Sequence, residues 1–516
     1  MSKRKDILFL IFILTIGLLL RIYGLSKYDF WYDEAISVIT AETIVYQNFF
    51  DYGKYFTDPP LFYFLLKFWM LLGKSEFLLR LLPLIFGFLS IISIYFVGKV
   101  LFNKKVGLIG MFLLAISPFH IYYSQELRSY ALVTLLTLMS IYLFVRILKE
   151  NKLLLWIWFI VFTVFCLYSH NIGLFLLPAE NIYFFSFYEK HKKICSRWLI
   201  SQLTILLFYV PWLVMLIYQI IKIQIPLAFF WVPKPSPQVI IHTFNIFNLG
   251  YNATRAAYLY AFLIFLSLFL WGVWKGKEEK TKIYLLLYWL FVPIIITIFI
   301  STILKQGSLY LYRTLIYISP AYYIIVANGL NSIKKQSISF TLLSIIIILS
   351  IHPLQNQYNN IFFLSVIPYR PAVFEKKEFK SAADYIKRDF QEGDIIAHTC
   401  RSTLPPFIHY HNNKLEEKWA VTSNNIDWLH WKKIFSHDLS LSTLSLFKSF
   451  LCMDIKELSK DYRRIWLVFS GWEINERESS EIKKWLDDNL KILKEKDFKG
   501  INIYLYKTND KNINPN

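Results

Sequence analysis

Ile7-Leu-Phe-Leu-Ile-Phe-Ile-Leu-Thr-Ile-Gly-Leu-Leu-Leu20 runs without a charge and is soon followed by Tyr28-Asp-Phe-Trp-Tyr-Asp-Glu34. The first stretch is apolar enough for a membrane helix. The second sets two adjacent carboxylates, Asp33 and Glu34, where that helix would meet water. Lys3, Arg4 and Lys5 precede the run, so the N-terminus is expected on the cytoplasmic side. No small-residue cleavage site follows, and the run reads as a retained first helix. A further acid, Asp58, stands ahead of Pro59-Pro60 in the same loop. An apolar run followed by an acid-bearing loop points to a membrane protein with its chemistry at the bilayer edge.

Composition carries this reading along the chain. Of the 516 residues, 56% are hydrophobic, above the roughly 45–50% of soluble domains. The excess lies before residue 353, in runs that approach the roughly 20 residues needed to cross a bilayer. The formal charge of +20 does not imply nucleic acid. Many of its Lys and Arg residues sit in short loops between apolar runs, as in Lys275–Lys282, which is the positive-inside pattern. A basic surface also suits anionic lipid headgroups and lipid phosphates.

Alternation of apolar runs and basic loops predicts about eleven spans over residues 1–353. The first loop, 26–76, is outside, the N-terminus is inside, and the tail is outside at a cell membrane. Glu34–Phe50 and Leu61–Leu72 read as short helices lying at the interface. Lys67, Lys74 and Arg80 read most simply as interfacial anchors. Residues 354–374 read as a linker. From Glu375 the charge density rises and apolar runs shorten. Asp394–His398, Ile465–Phe469 and Ile501–Tyr506 read as strands, and Glu478–Leu493 as an amphipathic helix. The expected fold class is therefore a polytopic α-helical membrane protein with a soluble C-terminal α/β domain, 375–516. Of four cysteines, Cys400 and Cys452 lie in the tail and can pair if it is extracytoplasmic; Cys166 lies in an apolar run and Cys195 in a basic loop.

This topology gathers ionisable residues from distant segments at one membrane face. They are Asp33, Glu34 and Asp58 from the first loop, and His120, Glu126 and Arg128 from a second. His170 comes from a tight turn, and Arg313 from the start of a later span. Such groups are costly near a bilayer and functional by default. The chemistry that fits is transfer onto an acceptor hydroxyl or amine from a lipid-linked donor. A carboxylate can act as general base, and arginines can hold a phosphate leaving group. Each residue also has a plain structural reading. Asp33 and Glu34 can open a helix, Asp58-Pro-Pro can be a helix start, Arg128 can snorkel, and His170 can be a turn residue. Trp31 or Trp231 can stack on carbohydrate or serve packing alone.

Several motifs together resemble the GT-C glycosyltransferases. More closely, they resemble the branch of dolichyl-phosphate-mannose protein mannosyltransferases, lipid A aminoarabinose transferases and RgtA/B/C/D-like bacterial enzymes. They are Trp31-Tyr-Asp-Glu34, Pro59-Pro-Leu-Phe-Tyr63, Glu76–Pro83, Ser117–Ala131, Tyr168-Ser-His170 and Trp231–Ser236, covering about residues 1–240 in order. The resemblance implies an inverting transfer of one sugar from a polyprenyl-phosphate donor to a lipid, glycan or protein acceptor. It implies Asp33 as base with Glu34 beside it, and Arg128 and Arg313 near the donor phosphate. Relatives often have Lys or His before the Pro-Pro, where this chain has Asp58. Asp58 cannot bind phosphate directly. It can hold a divalent cation with Asp33 or Glu126, or bind the acceptor, so no cofactor is certain. A transporter or flippase of a lipid-linked saccharide is the alternative from another class, but no internal repeat is visible and the ionisable residues avoid the midplane. A membrane receptor binding through its tail would leave the first-loop acids unexplained.

Overall fold

In the computed structural model, the described residues are 3–44, 52–53, 57–223, 232–304, 307–362, 375–412, 414–421, 452–470 and 476–508. Trp231 and residues 45–50 of the expected interfacial helix lie outside them. The chain divides into two units, Met1–Leu25 with Thr43–Glu375, and Ser26–Glu42 with Lys376–Asn516. The sequence boundary at 353–375 thus has a companion it did not predict, because residues 26–42 pack with the C-terminal unit.

The first unit is helical. Among the described residues, five helical runs are long and apolar enough to cross a membrane: Glu76–Leu101, Tyr130–Glu150, Tyr188–Ile221, Arg255–Ile303 and Gln336–Tyr358. A sixth results if Lys104–Ile116 and Pro118–Ser124, bent by 64°, form one span. A 3-10 turn at Gly276–Glu279 divides the run Arg255–Ile303. This falls below the eleven expected. Leu153–Ser169, of 17 residues, stands at the lower limit of a span, and Val239–Leu249, of 11, is shorter. Leu311–Leu330 proves to be a 3-10 helix, Tyr312–Ile318, followed by a helix of 13 residues, Ser319–Asn331.

Local chemistry explains the ends of these helices. Ser75 caps Glu76–Leu101, its hydroxyl accepting from the Leu78 amide, and Asn103 caps Lys104–Ile116 through Val106. Both satisfy amides that a helix start leaves open. The 64° bend falls at Ser117-Pro118, where proline holds the preceding residue extended. The carbonyls left open there are met by Arg21, fully buried, which donates to Leu114 and Ala115 at 3.2 and 3.0 Å. Arg80, read as an interfacial anchor, is likewise buried, and it donates to the Leu25 carbonyl at 3.1 Å.

Two helices of this unit meet backbone to backbone. A Cβ on Gly329 would lie 2.1 Å from the Leu268 carbonyl oxygen, and one on Gly272 would lie 2.2 Å from that of Ile325. Asn328 spans the crossing, donating to the Gly272 carbonyl at 3.0 Å. Helices in membranes associate through such small residues. Gly329→Ala is expected to cost about 1–3 kcal/mol, read as a lower unfolding temperature in detergent. An unchanged temperature would show that the helices separate freely.

The second unit is built on a six-stranded sheet of order β3-β2-β1-β4-β6-β5, with β1 Asp394–His398, β2 Glu417–Val421, β3 Cys452–Asp454, β4 Arg464–Phe469, β5 Lys491–Phe498 and β6 Ile501–Lys507. β3, β2, β1 and β4 run parallel, while β6 and β5 are antiparallel additions. Ile395, Leu467 and Tyr506 from the sheet share a core with Ile482 and Leu486 of helix Glu476–Asn489. Asp394 and Arg464 are opposite each other in register and form a forked ion pair at 2.7 and 2.6 Å.

The Cys400–Cys452 pairing expected from the sequence lies outside the described residues, because the Cys452 side chain is not among them. Cys400 is buried, its Sγ 2.8 Å from the Ser402 hydroxyl oxygen. Cys452 starts β3, two strands from β1.

Candidate functional site

The first loop folds at two places. Asp33 and Glu34 occupy the first turn of helix Tyr32–Thr43, where acids complement the helix dipole; the plain reading of this pair is therefore realised. It does not exhaust the pair, because Glu34 is fully buried while Asp33 is partly exposed. A buried carboxylate needs a partner, and Glu34 has the Lys376 ammonium at 3.3 Å. Trp31 is only 7% exposed and has the same ammonium 5.0 Å from its ring centre, which disfavours a carbohydrate-stacking role.

In the first unit, Asp58 precedes helix Leu61–Trp69, whose N-cap is Pro60. Tyr63, in the first turn of that helix, points its hydroxyl back to Asp58 Oδ2 at 3.0 Å. Arg128, from the loop ahead of helix Tyr130–Glu150, donates through Nη2 to the same oxygen at 2.8 Å and through Nη1 to the Tyr63 hydroxyl at 3.0 Å. These contacts close a triangle of acid, phenol and guanidinium. Burial pushes the Asp58 carboxyl up, but Arg128, His170 and the Tyr63 hydroxyl together hold it below the usual carboxylate range. Asp58 is therefore an anion that orients Arg128. A guanidinium already on Oδ2 also opposes a divalent cation there, so Asp58 fits poorly as a metal ligand.

His170 and Arg313 complete this cluster. His170 ends helix Leu153–Ser169 and caps the 3-10 turn after it, its Nδ1 accepting from the Ile172 amide at 3.2 Å. Its ring lies 5.7 Å from that of Tyr130, and Arg313 lies 5.7 Å from the centre of the same tyrosine ring. Asn171 ties the turn to the first loop, donating to the Thr57 carbonyl at 2.8 Å and accepting from Trp212 at 2.8 Å. Arg128 and Arg313 are 9% and 8% exposed, so these cations are held in low dielectric, where a phosphate would be bound strongly.

Burial pushes the His170 imidazole down to about 4, with Asp58 opposing and Arg128 and Arg313 reinforcing. An unfolded histidine titrates near 6.5, so between those values the unfolded chain binds more protons and stability falls as pH falls. Solvent screening at this half-buried ring leaves about 1–2 kcal/mol lost between pH ~7.5 and ~5. Thermal unfolding in detergent should show this loss in the wild type and a smaller one in His170→Gln. Equal losses in both would exclude His170 as the source.

The remaining expected residues are His120 and Glu126, and Glu126 shares with Arg313 the neighbourhood of Tyr123 and Tyr251. His120 accepts at Nδ1 from Arg21 at 2.8 Å, beside the bend at Ser117-Pro118, and its Nε2 finds no partner among the described residues. Glu126 is 3% exposed, and its carbonyl accepts from the Arg128 amide at 2.7 Å. Sequence reasoning did not single out Tyr63, Tyr130 or Asn171 individually. Tyr63 and Tyr130 stand within quoted motifs, and Asn171 directly follows His170. Lys376 had no signal, since it is one lysine in a basic stretch.

Residues 57–215 match the family model for dolichyl-phosphate-mannose-protein mannosyltransferase. The match includes Asp58, Arg128 and His170 and starts after Asp33. A sequence search of curated proteins finds no match. Among solved structures, the chain is similar to ArnT from Cupriavidus metallidurans bound to undecaprenyl phosphate, with a TM-score of 0.64, 10% identity and 98% of each chain covered. The apo state of that protein gives a TM-score of 0.64 at 10% identity, over 96% of this chain and 97% of the other. The oligosaccharyltransferase of Archaeoglobus fulgidus, in complex with Zn and sulfate, gives 0.53 at 13% identity, over 89% of this chain and 68% of the other. The fold is thus shared along nearly the whole chain, beyond residues 1–240 where the motifs lie.

Proposed function

We propose that this chain, a membrane protein of the GT-C fold, is a glycosyltransferase that moves one sugar from a polyprenyl-phosphate donor to an acceptor. The observation that carries the reading is the Asp58–Tyr63–Arg128 triangle with Arg313 close by: buried guanidinium groups, one of them fixed in direction, suit a lipid phosphate. The similar ArnT structure bound to undecaprenyl phosphate supports the same donor class.

The proposed reaction inverts the anomeric carbon. Asp33 takes the proton of the acceptor hydroxyl or amine, and the acceptor atom forms a bond to that carbon. The bond from the carbon to the phosphate oxygen breaks, and its electron pair leaves with the oxygen. Arg128 and Arg313 stabilise the charge gathering on that phosphate, and polyprenyl phosphate departs. Asp58 serves the donor indirectly by aiming Arg128. The lipid tail lies among the spans, which accounts for building the enzyme in a membrane. The active face is extracytoplasmic, the N-terminus cytoplasmic, and the membrane that of the cell surface.

Purified protein in nanodiscs, offered a panel of polyprenyl-phosphate sugars with candidate acceptors, should release polyprenyl phosphate from one of them. Movement of intact lipid-linked saccharide across a vesicle without cleavage would support the transporter instead.

A further inference from the structure

The segment that carries Asp33 and Glu34 is held by the C-terminal unit at successive levels. Ahead of the helix, the Asp29 carboxylate accepts from the Lys380 amide at 2.8 Å, in the first turn of helix Phe379–Asp389. The Phe30 amide donates to the Tyr410 hydroxyl at 2.8 Å, and the Phe30 ring, fully buried, lies 5.2 Å from that of His409. In the first turn, Lys376 reaches both Glu34 and Trp31. Further along, Ile39 packs against Leu404 and Ile408 of helix Leu404–His411.

A helix of 12 residues is marginal alone in water, so its direction must come from what it packs against. Here the partners flank Asp33 on both sides in sequence, at Trp31 and at Glu34. They leave Asp33 itself partly exposed. The arrangement fixes the residue without covering it.

We propose that the C-terminal unit is a positioning element for Asp33, and that Lys376 is the residue through which it acts. Lys376 neutralises buried Glu34, so the first helical turn keeps its packing with a carboxylate inside. The Asp33 backbone is fixed with it. This proposal rests on the reading of Asp33 as the base. It gives the soluble unit a part in catalysis without requiring that it bind acceptor or donor.

The test compares full-length wild type with Lys376→Met, Lys376→Arg, Tyr410→Phe and Asp33→Asn in nanodiscs. Hydrogen exchange is followed at residues 32–43 and in β1 and β4, beside turnover and donor affinity. In Lys376→Met, residues 32–43 should exchange about tenfold faster or more, with β1 and β4 unchanged. Turnover should fall about 10²-fold, as for a displaced catalytic group, with donor affinity nearly constant. Lys376→Arg should restore most of both. Tyr410→Phe, which removes one hydroxyl, should show the same pattern more weakly and serves if Lys376→Met loses β1 and β4 protection. Wild-type turnover in Lys376→Met, or in Tyr410→Phe where Lys376→Met loses β1 and β4 protection, would overturn the proposal, whatever the exchange. An inactive Asp33→Asn beside a fully active Lys376→Met would leave the base in place and remove only the positioning role. A fully active Asp33→Asn would remove the base assignment and the positioning proposal with it.

Discussion

Asp33→Asn lowers sugar transfer by about 10²–10⁴-fold, the contribution typical of a positioned general base. Asparagine keeps the size of the side chain and its place in the first turn of helix Tyr32–Thr43, but it cannot accept the acceptor proton. Donor affinity should stay nearly constant, because the roles proposed for binding the phosphate fall to Arg128 and Arg313. Folding should also survive. Asp33 is partly exposed, whereas the buried charge of that turn is on Glu34. The measurement is turnover beside donor affinity in the same preparation. Loss of affinity equal to the loss of turnover would assign Asp33 to binding and leave the base unidentified.

Arg128→Ala is the second large effect, and it has two parts. The Asp58 carboxylate loses its 2.8 Å ion pair and stays enclosed beside Tyr63. The side chains of the pair are 11% and 22% exposed, so the cost should fall between the ~1 kcal/mol of an exposed pair and the ~3–5 kcal/mol of a buried one. Donor affinity should fall separately, by about tenfold or more for a lost charge-assisted contact to phosphate. Asp58→Asn with Arg128→Ala separates the parts. The double variant recovers stability, since no carboxylate is stranded, yet does not recover donor affinity. Recovery of both would show that Arg128 serves Asp58 alone.

The ionisable residues of the first unit were legible because membrane segments tolerate few of them. Asp58, Arg128, His170 and Arg313 stood out against apolar runs, and the fold brings them together around Tyr63 and Tyr130. Their pairing was not legible. Arg128 is 70 residues from Asp58 in the chain, and no local pattern says that an acid ahead of Pro-Pro will hold it. The departure from relatives at Asp58 acquires a physical reason only when the ion pair is seen. The packing of residues 26–42 with the C-terminal unit was equally hidden, because its contacts, from Phe30 to Tyr410 or from Glu34 to Lys376, cross more than 300 positions.

In the C-terminal unit, the buried strands at Asp394–His398 and Ile465–Phe469 were legible as short apolar runs, the second one residue short of Arg464–Phe469. Lys491–Phe498 was missed, since the amphipathic reading of Glu478–Leu493 ran into it. Its side chains are exposed for seven positions, and a Lys-rich edge strand carries little hydrophobic pattern while protecting the sheet from further pairing. The span count suffered from the opposite problem. Apolar helices such as Val239–Leu249, of 11 residues, have the composition of a span without its length, and composition alone does not tell the two apart.

The account is tested most directly by following both products of one reaction. Wild-type protein in nanodiscs would be given a single polyprenyl-phosphate sugar, labelled in the sugar, with an acceptor. The account predicts about one polyprenyl phosphate released for each sugar transferred, with the anomeric configuration inverted in the product. Sugar transferred with retained configuration, or labelled lipid recovered intact on the far side of a vesicle, would contradict it.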